Sequence, residues 1–236
     1  MVNDVDYIRG NDAIRWVGYF DLLGTRQLVK SAKTRQVFDS FAEAAKQLGI
    51  LNRLGTNIFN AWFSDTFVIY SGDDSQQAFA AFEKMCRWFM TALIWRKIPA
   101  RGSISCDRLY SDRDNSVYFG PALIEAYEWS EGQDWIGLVL CPSCIKRLEK
   151  LNQSATDYKH YVEYVKPPFM KSPPSDSCRC AACILGDWVK TGNSDISDLL
   201  INLREMRDEQ KDEKIIQKYN RTIDFIESHQ TRLHES

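Results

Sequence analysis

The sequence predicts an α+β domain with a ferredoxin-like antiparallel sheet, flanking helices and further helices at the C-terminus. The first observation behind this is that segments with strand and helix patterns follow one another in the order β-α-β-β-α-β. The second is a composition of 44% hydrophobic and 26% charged residues among 236, which is typical of a globular chain with a sizeable core. The third is a charged tail with two helical patterns between 194 and 229. We expect residues 1–193 to form one domain with appended elements, and residues 194–236 to form a helical extension packed on it.

The elements of this unit are defined by their hydrophobic patterns and by the residues that end them. Pro99 ends the second helix, and Pro121 takes the first position of the third, just after Gly120. The predicted order is a strand at 13–21, a helix at 25–48, a hairpin at 55–74, a helix at 75–97, a strand at 100–111 and a helix from 121. There follow a strand at 134–141, a short helix at 141–151, and a strand leading into a Pro/Ser-rich loop over 158–178.

The bulk properties argue against several classes of protein. A formal charge of −2, from 30 basic and 32 acidic residues, gives no overall positive charge for binding nucleic acid. No apolar run reaches the roughly 18 residues that a membrane span needs, and the acidic, polar N-terminal segment is not a secretory signal. We therefore expect a soluble, cytoplasmic protein with no nucleic-acid or membrane partner. The seven cysteines are an odd number in such a chain, which argues against a disulfide framework.

Two aspartates stand at positions that this fold brings together. Asp21 ends the first strand and is followed by Gly24 and Thr25, which lead into a helix, while Asp65 lies at the tip of the predicted hairpin. Because the first strand lies beside the hairpin in a ferredoxin-like sheet, both carboxylates meet at one end of the sheet. Their repulsion there favours a divalent cation between them. Taken alone, Asp21 also suits a helix cap, and Asp65 also suits a simple turn.

Three segments resemble the catalytic domain of class III nucleotidyl cyclases. "YFDLLGT" resembles the first metal-binding segment of that family, "FSDTFVIY" the second, and "RGSIS" with "YFGPALIEAYEWSE" a later one. Together they cover about residues 13–140. The resemblance implies a cyclase-like catalytic domain in which the ribose 3′-hydroxyl of a nucleoside triphosphate attacks the α-phosphorus and expels pyrophosphate. It also implies two bound Mg²⁺ or Mn²⁺ ions, and a homodimer with its active sites at the interface.

The same resemblance assigns roles to individual residues. The implied metal ligands are Asp21, Leu22 and Asp65, and the implied nucleotide-binding residues are Leu22, Gly24 and Thr25. Physical chemistry agrees for the latter set, because N–H groups at a helix start are unsatisfied donors that suit phosphate oxygens. Both aspartates are expected to be catalytic. Arg101 is a further catalytic candidate, as a cation near the phosphates, although a surface or structural arginine fits the sequence equally well.

Four positions depart from the purine-reading members of the family. The lysine and aspartate that read adenine are replaced by Ala61 and Val117, and the asparagine and arginine that stabilise the transition state by Ile124 and Glu128. An apolar or acidic side chain cannot stabilise developing negative charge at the last two positions. The chain is similar in these departures, and in keeping both metal aspartates, to the bacterial pyrimidine cyclases of the Pycsar anti-phage systems.

The resemblance to this branch predicts a uridylate cyclase. Such an enzyme converts UTP to 3′,5′-cyclic UMP, a second messenger in anti-phage defence that reaches its effector as the free cyclic nucleotide. The small Ala61 is compatible with a changed base pocket, but it does not choose between UTP and CTP. A cytidylate cyclase, a purine nucleotide cyclase and a nucleotide-binding sensor without catalysis are the alternatives.

The cysteines predict a second kind of site. "CPSC" (Cys141, Cys144) and "CRCAAC" (Cys178, Cys180, Cys183) each contain a Cys-x-x-Cys pair, a spacing that can hold a structural Zn²⁺ in tetrahedral geometry. The predicted ligands are Cys141, Cys144, Cys178 and Cys183. The spacer between the pairs is longer than in a compact zinc ribbon. A set of reduced, partly buried thiols is the alternative.

Overall fold

A computed structural model of the chain describes residues 11–25, 34–53, 55–171, 179–185 and 196–231. The first part of the predicted helix at 25–48 and most of the predicted Pro/Ser-rich loop lie outside these residues, as does Cys178. Among the described helices, none is both long and apolar enough to cross a bilayer.

The described chain contains eight strands and six α-helices. The strands are β1 (Asn11–Leu22), β2 (Ile58–Phe63), β3 (Thr66–Ser71), β4 (Ala100–Asp112), β5 (Val117–Phe119), β6 (Leu138–Leu140), β7 (Tyr161–Tyr164) and β8 (Cys180–Cys183). The helices are α1 (Thr34–Arg53), α2 (Gln76–Trp95), α3 (Pro121–Gly132), α4 (Pro142–Lys150), α5 (Ile196–Asp208) and α6 (Glu213–His229), with a short 3₁₀ helix at Ala155–Asp157.

The strands form one mixed sheet in the order β2-β3-β1-β4-β6-β8-β7, and β5 pairs with part of β4. β1 lies between β3 and β4 and is antiparallel to both, as the ferredoxin-like prediction requires. The fold-class prediction is therefore confirmed. The sheet extends beyond the predicted unit. β6 pairs with β4 in parallel, β8 pairs with β6, and β7 pairs with β8, the last two pairings being antiparallel.

β1 divides the interior into two layers, because alternate side chains of a strand point to opposite faces. Trp16 and Phe20 belong to the larger core, which includes side chains of α1, α2, α5 and α6. Val17 and Tyr19 belong to a smaller cluster beneath α3. By the same alternation Asp21, the next odd-numbered residue, lies on the α3 face.

The start of α3 requires a glycine. Gly120 has φ of 151°, and a Cβ built there would lie 2.4 Å from the carbonyl oxygen of Arg108 on β4. Two buried serines of β4 then hold the helix along its length, since the hydroxyls of Ser103 and Ser105 donate to the carbonyls of Ala126 and Ala122. The position of α3 over β4 is thus fixed at three points.

The C-terminal helices pack on the rest of the domain. Leu203, Tyr219 and Ile226 are buried in the larger core. In addition, Thr222 of α6 accepts a hydrogen bond from the backbone N–H of Ile136 at 2.9 Å and donates to its carbonyl at 3.0 Å. This double contact attaches α6 to the segment that directly follows α3.

We expect Gly120→Ala to lower the free energy of unfolding by about 2–4 kcal/mol, because the new Cβ meets backbone in a conformation that L-residues avoid. Urea denaturation measures the change. The matched control is Gly49→Ala within α1, where a Cβ has open space; there alanine should raise the stability by roughly 0.5–1 kcal/mol through its helix propensity. Equal midpoints for the Gly120 variant and the wild type would show that the start of α3 is not constrained in this way.

Candidate active site

The structure brings Asp21 and Asp65 together at one end of the sheet. Asp21 pairs in register with Thr66, the residue after Asp65, and the backbone N–H of Leu22 donates to the carbonyl of Asp65 at 3.2 Å. The hydroxyl of Thr25 donates to Asp65 Oδ2 at 2.7 Å and lies 3.3 Å from the carbonyl oxygen of Leu22. The turn after β1 is therefore tied to the tip of the β2–β3 hairpin by backbone and side chain together.

The turn itself presents backbone donors beside these carboxylates. Leu23 N–H donates to the carbonyl of Pro99 at 2.8 Å, and Gly24 adopts φ of 70°, which glycine accepts without strain. The N–H groups of Gly24 and Thr25 have no acceptor among the residues that the structure describes. Unsatisfied N–H groups of this kind suit an oxyanion, and nucleotide binding at Gly24 and Thr25 stays a prediction.

Arg101 joins the site through Asp21. Its Nε and Nη2 both donate to Asp21 Oδ2, at 3.1 and 2.9 Å, and Asp21 pairs with it across β1 and β4. Its Nη1 donates to the backbone carbonyl of Glu131 at 3.0 Å, and its Nη2 also contacts the Glu131 carboxylate. The guanidinium is thus held by two acidic residues, and a catalytic role for Arg101 stays a prediction.

The site carries more negative than positive charge. Asp21, Asp65 and Glu131 are three carboxylates with Arg101 as the guanidinium among them. Burial raises the pKa of Asp21; Arg101 opposes this, while Glu131 and Asp65 raise it further. Burial and neighbouring carboxylates both disfavour the ionised form of Asp21, while the opposite charge of Arg101 favours it. A bound cation would offset the repulsion among the three carboxylates.

The oxygen atoms available here fit a divalent ion. Oδ1 of Asp21 and Oδ1 of Asp65 accept no hydrogen bond from any described residue. The carbonyl oxygen of Leu22 lies 3.3 Å from the Thr25 hydroxyl, which also contacts Asp65. Carboxylate and carbonyl oxygens are the ligands that Mg²⁺ prefers. Within the described residues, no group of three or more acidic, histidine or cysteine side chains is arranged as a metal site. Two carboxylates and a carbonyl fall below that number, and metal binding at Asp21, Leu22 and Asp65 stays a prediction.

The four departing positions do not gather at this site, since Val117 pairs with Asp112 at the opposite end of β4 from Arg101. Ala61 is buried in the small cluster beneath α3. Val117 on β5 is 46% exposed and Ile124 on α3 is 47% exposed. Glu128 is exposed on the same helix. The helix that carries transition-state groups in the resembled family therefore supplies none at these positions.

Glu131 is the site residue that the sequence analysis missed. It lies in the last turn of α3, where the helix dipole disfavours a carboxylate, and no basic residue compensates it there. In the folded chain a cation from another element contacts this carboxylate. Here that cation is Arg101, from 30 residues earlier in the chain.

The predicted zinc site finds no support in the structure. Cys141, Cys144 and Cys183 are buried free thiols, and no described set of residues gathers as metal ligands. Burial raises the pKa of all three, which disfavours the thiolate that zinc needs. The alternative of reduced, buried thiols describes these three, while Cys178 lies outside the described residues.

Comparison with known proteins gives a match at the level of structure only. No family model and no curated protein matches the chain. The adenylyl cyclase CyaB from P. aeruginosa matches with a TM-score of 0.53 at 9% identity, over 78% of this chain and 98% of that one. Adenylate cyclases from Trypanosoma brucei in their monomeric state match with a TM-score of 0.52 at 10% identity, over 76% of this chain and 91% of that one. The catalytic core of a rhodopsin-guanylyl cyclase with converted specificity, in complex with ATPαS, matches with a TM-score of 0.51 at 9% identity, over 74% of this chain and 97% of that one.

These similarities show that the chain has the fold of adenylyl and guanylyl cyclase catalytic domains. The resemblance to class III nucleotidyl cyclases is confirmed at that level. The matches extend over nearly the whole of the compared cyclase domains, so the shared part is a complete fold and not a fragment.

We expect Asp21→Asn to raise the melting temperature at pH 7 in EDTA. Because the folded-state pKa of Asp21 lies above its unfolded value, ionisation destabilises the fold, and this cost develops as the pH rises through that pKa. The gain should shrink as the pH falls and the wild-type carboxylate takes up a proton. Asp39→Asn, which removes an exposed carboxylate paired with Arg35, is the control and should change stability by no more than about 0.5 kcal/mol. A lower melting temperature for Asp21→Asn at pH 7 would contradict the prediction.

Proposed function

We propose that the protein is a metal-dependent nucleotidyl cyclase that converts UTP to 3′,5′-cyclic UMP and pyrophosphate. The observation that carries the proposal is the junction of Asp21 and Asp65 beside the N–H groups of Gly24 and Thr25, which have no acceptor in the described part of the chain, within a cyclase fold. This is the arrangement that the chemistry needs, because a triphosphate must be held close to cations while its α-phosphorus is attacked.

The reaction forms a bond between the ribose 3′-oxygen and the α-phosphorus and breaks the bond between that phosphorus and the β-phosphate oxygen. The 3′-hydroxyl loses its proton to solvent in the same reaction. Asp21, Asp65 and the carbonyl of Leu22 would hold two Mg²⁺ or Mn²⁺ ions. When bound, such ions lower the pKa of the attacking hydroxyl and offset the charge of the leaving pyrophosphate. The N–H groups of Gly24 and Thr25 would bind the β- and γ-phosphates.

Arg101 and Glu131 act on Asp21 in this proposal. By holding Oδ2, Arg101 fixes the orientation of the carboxylate and directs Oδ1 toward the cation. It also opposes the rise in the pKa of Asp21 that burial causes, so the carboxylate stays available as a ligand at neutral pH. Glu131 fixes Arg101 in turn. Arg101 is thus proposed as a positioning residue for a metal ligand.

The choice of a pyrimidine rests on the base-reading positions. Ala61 is small and buried, and Val117 is apolar, so neither can form the lysine and aspartate contacts that select adenine. A purine pocket holding a smaller base would leave polar groups unpaired, at a cost of roughly 1–3 kcal/mol each. By its resemblance to the Pycsar branch, the product would act as a second messenger in anti-phage defence.

The outer surface of α3 and the neighbouring strand β5 expose apolar side chains that suit a second copy of the chain. Phe119 is 68% exposed, and Ile124 and Tyr127, one turn apart on α3, are 47% and 49% exposed. Apolar side chains exposed together are typical of an association surface. We infer a homodimer in which each active site combines the metal-binding residues of one chain with base or ribose contacts of the other.

A nucleotide-binding sensor without catalysis is the second candidate. The absence of an amide or guanidinium at Ile124 and Glu128 favours it, because these positions stabilise the transition state in the resembled family. The paired carboxylates favour the enzyme.

Incubation with UTP, CTP, ATP and GTP at equal concentration in Mn²⁺, followed by identification of the products, tests the proposal. We expect cyclic UMP as the fastest product, cyclic CMP next, and slow turnover of both purines. Asp65→Asn should lower activity by at least about 100-fold while keeping the fold, since even residues that support a metal ligand are worth 10–100-fold. Asp39→Asn should keep full activity.

Each outcome of this experiment has a separate meaning. Faster turnover of a purine than of either pyrimidine would overturn the pyrimidine assignment, and faster CTP would overturn only the choice of uracil. Full activity of Asp65→Asn would overturn the metal site. Nucleotide binding without any product would favour the sensor.

The dimer is tested by light scattering. We expect a dimer for the wild type and a monomer with little activity for Ile124→Glu, because a charge is costly in an apolar interface. Ile201→Glu on α5 is the matched control, since Ile201 is 48% exposed but lies on another helix. A fully active monomer would contradict this assembly.

A further inference from the structure

Three cationic side chains surround one carboxylate just beyond the end of α3. Arg221 of α6 contacts Asp134 Oδ2 and donates to the Asp134 backbone carbonyl at 3.0 Å. The ammonium groups of Lys171 and Lys218 lie 3.6 and 3.7 Å from the other carboxylate oxygen, Oδ1. We call these four residues the Asp134 cluster. Its formal charge is positive, because three cations share a single carboxylate.

The two lysines in the cluster are poorly satisfied by protein. Both ammonium groups lie farther from Asp134 Oδ1 than in an ordinary hydrogen bond, so the carboxylate that Arg221 already contacts gives the two lysines only long contacts. The side chain of Lys218 is nevertheless only 17% exposed. An ammonium has three donors, and one withdrawn from water in this way favours an added acceptor.

The electrostatics point in the same direction. Burial lowers the pKa of Lys218, and the positive charges of Lys171 and Arg101 lower it further against the pull of Asp134. The pKa of Asp134 is lowered although burial alone would raise it, because Arg221, Lys171 and Lys218 all act on it. The cluster therefore has positive charge that its own carboxylate does not offset.

The cluster adjoins the candidate active site. The backbone N–H of Lys171 donates to the carbonyl of Gly132 at 2.9 Å, while Arg101 donates to the carbonyl of Glu131 at 3.0 Å. Two successive carbonyls at the end of α3 thus contact Arg101 of the candidate active site and Lys171 of the Asp134 cluster. Arg101 also acts on the charge of Lys218, which places the two groups within electrostatic reach.

We propose that Lys171, Lys218 and Arg221 form a binding site for a phosphate-bearing anion, with α6 supplying two of its three cations. Lysine ammonium groups and the guanidinium fork are the side chains that bind phosphate oxygens best, and here they converge without enough negative charge of their own. Two sources offer this chemistry. One is the polyphosphate of the nucleotide, which rests on the proposed function, and the other is a separate phosphorylated ligand.

Inorganic pyrophosphate, titrated calorimetrically into the full chain in EDTA, tests the site without the metal centre. We expect Lys218→Gln to weaken binding about tenfold, as the loss of one charge-assisted hydrogen bond does. Lys171→Gln should have a smaller effect, because Lys171 is 52% exposed. Lys214→Gln, which removes an exposed lysine of the same helix, should leave the affinity unchanged. Melting curves check that the variants are folded. Because each substitution removes one of several like charges, the melting temperature should not fall.

Failure of the site and failure of the proposed function are distinguishable. No pyrophosphate binding by the wild type, or equal affinity in Lys218→Gln and the wild type, overturns the site. If Lys218→Gln loses pyrophosphate and its KM for UTP rises, the anion is the polyphosphate of the nucleotide. If pyrophosphate binding is lost while KM is unchanged, the site takes a separate phosphorylated ligand. A wild type that turns over no nucleotide yet binds pyrophosphate through Lys218 keeps the site and overturns the proposed function.

Discussion

One backbone register determines the chemistry of this molecule. Thr66, Asp21 and Arg101 lie side by side across β3, β1 and β4. Because strand side chains alternate between faces, a shift of one residue in β1 would turn Asp21 into the larger core and place an apolar neighbour at the site. The alternation of buried Trp16 and Phe20 with Val17 and Tyr19 makes that shift costly. The hydrophobic pattern of β1 therefore keeps a carboxylate beside a guanidinium at the sheet end.

The molecule collects like charges at two neighbouring places. Carboxylates predominate around Asp21, while cations predominate around Asp134, and the last turn of α3 with the residues after it separates the two. Neither arrangement favours stability in isolation, since each holds partly buried charge without full compensation. Opposed charges of this kind suit a ligand that brings both cations and phosphate oxygens, and natural sites commonly give up stability in this way.

The sequence was sufficient where the determining contacts are local or follow from strand order. The fold class, the approach of Asp21 to Asp65, and the glycine turn between β1 and the next helix all follow from short patterns. The sequence was insufficient where partners are far apart in the chain: Glu131 meets Arg101 across 30 residues, and Arg221 meets Asp134 across 87. The zinc prediction gained no support for a different reason. Buried cysteines can serve as small apolar core residues on a strand or a helix, and these can have Cys-x-x-Cys spacing without binding metal.

The buried thiols have a practical consequence. Six cysteines of the described chain are free and buried: Cys86, Cys106, Cys141, Cys144, Cys180 and Cys183. Burial raises the pKa of most of them, so both access and thiolate formation are suppressed in the folded state. An alkylating reagent would therefore modify them only when the interior opens. These thiols lie on α2, β4, α4 with the residue before it, and β8, so their alkylation can measure local and global opening without any engineered label.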